Sequence, residues 1–248
     1  MLVNRLSAKS GAGSRLAIVD GLRGVAIALM FVFHFCFDLN YLGLISIDIY
    51  HDAFWLHART LILSLFLLVM GVSLYLAHIR GIRWPAVGRR TLQLVAAAAL
   101  VSAGSYLLFP RSYIFFGVLH FIAVASLLCL PLLRYRWAAL AVGLGVLWMG
   151  LGFSSPTFDR PMLNWVGLMT HKPLTEDYVP LLPWLGVVLL GVFIGSGLIS
   201  AGGRMVRWQG VGPHWSLLRW AGRHSLLLYL LHQPVFFALL YPITLLRR

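Results

Sequence analysis

The chain has 248 residues, 60% of them hydrophobic and 11% charged, and its mean hydropathy is +0.86. A soluble domain carries roughly a quarter charged residues and a disordered chain is poor in apolar ones, so neither class fits. The formal net charge of +13, from 20 Lys and Arg against 7 Asp and Glu, is distributed as a membrane-orientation signal and not as a nucleic-acid footprint.

A bilayer core takes about 20 apolar residues per helix. In chain order the segments 16–39, 54–76, 91–108, 114–133, 137–153, 181–199 and 221–240 are predicted to span. The expected fold is therefore all-α: a polytopic integral membrane bundle of about seven transmembrane helices, one domain over residues 1–248. A basic tail, residues 1–15, precedes it, and the longest loop is 154–179. The first segment is too long for the apolar region of a signal peptide, carries Asp20 and Arg23, and lacks a small-residue cleavage site.

With seven spans, four basic groups share one side: Arg5, Lys9 and Arg15; Arg80, Arg83, Arg89 and Arg90; Arg134 and Arg136; Arg204, Arg207, Arg219 and Arg223. The other side has Arg111, Arg160, Lys172, Arg247 and Arg248, among several acids. The asymmetry predicts an amino terminus in the cytoplasm and an external loop 154–179, whose apolar stretch 162–169 suits a re-entrant or interfacial turn. Trp215 and Trp220, near Arg219, suggest a second interfacial segment. Cys36 and Cys129 both sit in apolar runs, without disulfide or metal-ligand spacing, so no metal is expected. Nucleotide loops, G-x-S-x-G and HExxH are absent from the sequence.

Titratable groups inside apolar spans are costly and mark function. The first span carries Asp20, Arg23, His34 and Asp38. Asp20 and Arg23, three residues apart, are neighbours on one face and neutralise each other. His34 lies about 16 Å along the axis from Arg23 on nearly the same side. Asp38, one turn on, is placed to orient the imidazole. The predicted topology brings His57 and Arg59 of the second span, His120 of the fourth, and Asp177 with Tyr178 before the sixth to the outer half. His232 lies mid-way along the last span on a stripe with Ser225 and Tyr229, followed by Pro234, which is expected to kink the helix.

These strings resemble a known family. Asp20-Gly21-Leu22-Arg23-Gly24, then Met30 and His34, is similar to the opening of the transmembrane acyltransferase-three proteins, with ten residues between arginine and histidine. The fuller pattern resembles bacterial relatives of the heparan-α-glucosaminide N-acetyltransferase catalytic domain. It comprises HFCFDLNYLG at 34–43, LFLLVMGVSLYL at 65–76, FFGVLHFIAV at 115–124, DYVPLLPWLGVVLLG at 177–191 and AGRHSLLLYLLHQP at 221–234. The resemblance implies a multi-pass bacterial inner-membrane enzyme that moves an acetyl group from cytosolic acetyl-CoA to an extracytoplasmic sugar amine or hydroxyl, on a glycan or glycolipid. It implies a catalytic histidine, His34 by the arginine-to-histidine spacing. In the animal heparan enzymes the active histidine follows that motif, nearer His51 or His57 here, so both His34 and His57 stand as candidates.

In that reading Arg23, Arg89 and Arg90 hold the CoA phosphates. His34, oriented by Asp38, acts as general base or as acyl carrier. Arg59, His57, His120, Asp177, Tyr178 and His232 stabilise the oxyanion or bind the acceptor. Small-residue faces on the fifth and sixth spans pack internally or across a homodimer. The rival expectation is a transporter or flippase for a lipid-linked sugar or small anion, with the same His, Asp and Arg as a proton relay.

Overall fold

The computed structural model describes residues 16–200 and 212–246. The orientation-signal residues Arg5, Lys9, Arg15, Arg204, Arg207, Arg247 and Arg248 lie outside them. Among the described residues there are eight α-helices: α1 Ala17–Tyr41, α2 Ala53–His78, α3 Trp84–Leu108, α4 Val118–Leu128, α5 Arg136–Gly152, α6 Leu181–Ser200, α7 Pro213–Arg223 and α8 Ser225–Leu246. No strand occurs among them. Helices α1, α2, α3, α6 and α8 are long and apolar enough to cross a membrane, and α4 and α5 are shorter apolar helices. The chain is a helical integral membrane protein, as its composition predicts.

Three spans differ from expectation: α3 starts at Trp84, seven residues before the predicted 91, with Pro85 in its first turn, and two others differ for local reasons. The segment 114–133 is an 11-residue α-helix followed by a 3-10 turn, Leu130–Arg134. Pro131 has no N–H to donate to the preceding turn, so the α-ladder stops just before it. The predicted last span begins four residues later, at Ser225, because the chain breaks helix at His224, whose φ of −103° and ψ of 20° leave the helical region. What precedes the break is the separate helix α7, which contains the predicted interfacial Trp215 and Trp220. Helix α8 then continues to Leu246 with Pro234 and Pro242 both inside it.

Packing divides the chain into two compact units: residues up to Val69 with those from Ala201 on, and Met70–Ser200. In the first, α1 packs on α7 and on α8. The α1–α7 crossing is close because glycines line it. A Cβ on Gly24 would strike the Leu218 carbonyl, and one on Gly222 would strike the Asp20 carbonyl. In the second unit α5 pairs with α6 and α3 with α4. There the backbones of Gly143 and Gly186 face each other across the α5–α6 seam, as expected of small-residue surfaces in a membrane protein. The loop 154–179 forms two short 3-10 turns, Pro156–Asp159 and Asn164–Val166. It is tied by Thr170 N–H to Asp159 Oδ1 at 2.8 Å and by Ser155 N–H to the Leu168 carbonyl at 2.8 Å.

Candidate functional site

Helix α1 carries its polar groups on a single seam. Asp20, Gly24, Ile27, Phe31, His34 and Asp38 follow one another at spacings of four, three, four, three and four residues, which keeps them on one side of a helix. Asp20 and Asp38 are 5% and 1% exposed, and Ile27 is 2% exposed. Carboxylates buried to that degree require hydrogen-bond partners, and both have them in helices from the far end of the chain.

At Asp38 the partner is Gln233 of α8, which hydrogen-bonds the carboxylate through its side chain. The same amide donates from Nε2 to His34 Nδ1 at 3.1 Å. Gln233 therefore bridges the acid and the imidazole that the sequence places one turn apart on α1. Next to it on α8, His232 is 5% exposed and donates its Nδ1–H to the Tyr229 carbonyl at 2.6 Å. His232 Nε2 is buried without a hydrogen-bond partner. The two imidazoles meet edge to face with centroids 4.9 Å apart. Aromatic rings wall them in: Phe31 stacks on His232 at 5.7 Å, Phe236 meets it edge-on at 6.0 Å, and Phe33 meets His34 edge-on at 5.7 Å. Two neighbouring titratable rings, one of them tied through the Gln233 amide to a carboxylate, in apolar surroundings, make a group able to donate and accept protons away from bulk water.

At the other end of the seam Arg23 donates to Asp20 Oδ1 at 3.3 Å, the ion pair expected from their spacing, and to the Gly222 carbonyl at 3.2 Å. Arg223 of α7 adds a second cation, with Nε 3.4 Å from Asp20 Oδ2. One buried carboxylate thus faces two guanidiniums, an arrangement with net positive charge that also pins α7 to α1.

The remaining predicted residues fall elsewhere. His57 and Arg59 are exposed on α2, and His57 donates Nδ1–H to the Ala53 carbonyl of its own helix at 2.5 Å. His51 is exposed and pairs with Asp48 at 3.0 Å. Hydrogen bonds from the backbone and ring of His51 hold the Asp48 carboxyl below the usual range. In the second unit His120 accepts from the Gly117 N–H at Nδ1, 3.3 Å, and its Nε2 reaches Ser102 Oγ at 3.2 Å; that hydroxyl donates to the Ile114 carbonyl. Asp177 accepts from the Val118 N–H at 2.8 Å, capping the start of α4. Tyr178 donates to the Asn164 carbonyl at 2.6 Å, and burial pushes its hydroxyl up to about 12. His120, Asp177 and Tyr178 thus have local bonds that organise the start of α4 and the loop 154–179. Arg89 and Arg90 are exposed on the first turns of α3. Arg89 lines an open hollow with Arg83 and Trp84.

Residues 15–234 match the family described as heparan-alpha-glucosaminide N-acetyltransferase, catalytic. The chain belongs to that family. No curated protein and no solved structure matches the chain. Membership brings the reaction class, acetyl transfer by a membrane-embedded enzyme, and the family's donor is acetyl-CoA. The matched range contains the whole α1 seam and ends at Pro234, one residue past Gln233. Of the side chains that meet along this seam in the heparan-type acetyltransferase chain, the sequence singles out His34, Asp38 and His232 as candidates and does not single out Gln233 or Arg223. A signal for Gln233 existed: it is an uncharged polar side chain between His232 and Pro234 in an otherwise apolar helix. Arg223 reads as one more charge at a span end, and only the fold turns it toward Asp20.

Proposed function

We propose that this chain transfers an acetyl group from cytosolic acetyl-CoA to an amine or hydroxyl of an extracytoplasmic glycan or glycolipid, with His34 as the catalytic histidine, in the plasma membrane of a bacterium. The observation that carries the reading is the His34–Gln233–Asp38 bridge beside His232, a buried proton-handling group on the helix whose motif opens the family match. His57 makes a weaker candidate, since it is exposed and engaged with its own helix. The orientation signal puts the amino-terminal end of α1 at the cytoplasm, so Arg23 and Asp20 stand at the donor side, with His34 about 16 Å deeper. Arg23 and Arg223 share the single charge of Asp20, and the excess positive charge suits a CoA phosphate.

The test is acetyl transfer and donor binding by purified full-length chain in detergent. Wild type should bind acetyl-CoA saturably and acetylate an amino sugar. His34→Ala should keep binding and lose turnover, and Arg23→Ala should weaken binding more than it slows saturated turnover. Absence of both binding and transfer would refute the acetyltransferase reading and favour transport.

A further inference from the structure

The hydrogen-bond partners of His34 and His232 give the two rings opposite protonation patterns. A carbonyl oxygen only accepts, so His232, bonded through Nδ1 to the Tyr229 carbonyl at 2.6 Å, carries its proton on Nδ1. Its Nε2 then bears a lone pair, and that atom is buried with no partner. A carboxylate also only accepts, so Gln233 must present its NH2 to Asp38. The second N–H of that amide donates to His34 Nδ1 at 3.1 Å. His34 Nδ1 is thus an acceptor, and in the neutral ring its proton sits on Nε2. The rings meet at 4.9 Å between centroids, at 66°. One brings an N–H, the other a bare lone pair.

Resting on the acetyltransferase reading, we propose that His232, not His34, accepts the proton of the attacking amine or hydroxyl, while His34 donates its Nε2–H to the thioester carbonyl. The general-base role expected for His34 from its spacing to Asp38 is replaced, because the amide of Gln233 occupies the Nδ1 lone pair and leaves a proton on the working nitrogen. The step balances without any further reactant. The acceptor's nitrogen or oxygen forms a bond to the acetyl carbon, and its proton passes to His232 Nε2. The carbonyl oxygen becomes an oxyanion held by the His34 Nε2–H. Collapse restores the C=O bond and breaks the C–S bond, and the departing sulfur takes the proton from His232 Nε2. Both rings finish in their starting states. A packing histidine offers no reason for an unpartnered, 5% exposed Nε2, since buried polar atoms are as a rule satisfied. A base awaiting a proton does.

The experiment is steady-state transfer from acetyl-CoA to glucosamine by the full chain, with glutamine and asparagine replacements that each imitate one ring nitrogen. His34→Gln keeps an N–H near the Nε2 position and should retain more turnover than His34→Ala, which should fall by about 10²–10³-fold. His232→Asn keeps a donor for the Tyr229 carbonyl and removes the Nε2 lone pair; kcat should drop by about 10²–10⁴-fold with little change in KM. Added imidazole should restore part of the rate of His232→Ala. An active wild type with an equally active His232→Asn, or a His34→Gln as inactive as His34→Ala beside an unaffected His232→Asn, overturns the assignment and leaves the acetyltransferase reading standing. A wild type that acetylates no amine or hydroxyl overturns both. Should the variants fail to fold, ring-nitrogen NMR of ¹⁵N-histidine wild type decides, since protons found on His34 Nδ1 and His232 Nε2 would refute the proposal directly.

Discussion

Replacing Gln233 with methionine keeps the side-chain length and removes the amide that joins Asp38 to His34. Two consequences follow from the geometry. Asp38, 1% exposed, loses a donor, and a hydrogen bond to a charged group contributes about 1.5–3 kcal/mol. His34 loses the N–H at 3.1 Å that holds its Nδ1. If that energy is what orients the ring at the transition state, kcat falls by about 10- to 150-fold, at about 1.4 kcal/mol per tenfold. KM for acetyl-CoA should stay near wild type, because the donor-side arginines are untouched. Parallel kinetics and thermal unfolding in detergent measure both effects. The exchange Asp38→Asn with Gln233→Glu sharpens the test. It rebuilds an amide–carboxylate pair, so stability should recover, but now a carboxylate faces His34 Nδ1 and moves the ring proton from Nε2 to Nδ1. Turnover should therefore stay low although the fold is restored. A Gln233→Met enzyme within twofold of wild type in kcat, or an exchange variant that regains full activity, would refute the reasoning.

Other perturbations test the frame around this site. Gly222→Val forces a side chain into the Asp20 carbonyl and should cost about 1–3 kcal/mol as overpacking, read as a lowered unfolding temperature; unchanged stability would remove the close α1–α7 crossing. Asp177→Ala removes the carboxylate that accepts from the Val118 N–H at 2.8 Å and should lose about 0.5–2 kcal/mol, as for other helix caps, with faster amide exchange at the start of α4 as the readout. Asp159 has its carboxyl held below the usual carboxylate range, first by the Thr170 backbone N–H. A depressed carboxyl stabilises the loop above its unfolded value, and the effect is lost as pH falls through the lower folded one. Exchange of the Thr170 amide, corrected for intrinsic rate, should therefore accelerate below about pH 4, and Asp159→Asn should make it fast at neutral pH.

The α1 seam shows how far residues alone can be read. The spacing from Asp20 to Arg23 predicts their ion pair and the spacing from His34 to Asp38 predicts a shared face, since helix geometry relates residues three, four or eleven apart without knowledge of the rest of the chain. The same spacing suggests that Asp38 reaches His34, and in the fold the side chain of Gln233 bonds to both. Gln233 is 199 residues from His34, and no periodicity within α1 points to it. Span ends behaved similarly: Pro131 marks the end of α4 in a readable way, whereas the break at His224 is visible only in the backbone.

His120 and Asp177 show a different limit of the sequence. Both were singled out as polar groups near apolar spans, and burial cost gives a sound reason to notice them. In the fold their bonds go to Ser102, Gly117 and Val118. A side chain that satisfies its neighbours' backbone and one that awaits a substrate look alike in sequence, because the partner is what differs.

Composition and local order by themselves determined that the chain is a bundle of membrane helices and that α1 carries charge and imidazole on a single stripe. These follow from apolar transfer and helical pitch, which act over a few turns. Tertiary structure alone decided that Gln233 links Asp38 to His34, that Arg223 joins Arg23 on Asp20, and that His232 buries a lone pair beside His34. Those are contacts between segments about two hundred residues apart, and proton placement on an imidazole is set by whichever donor or acceptor the packing brings to each ring nitrogen.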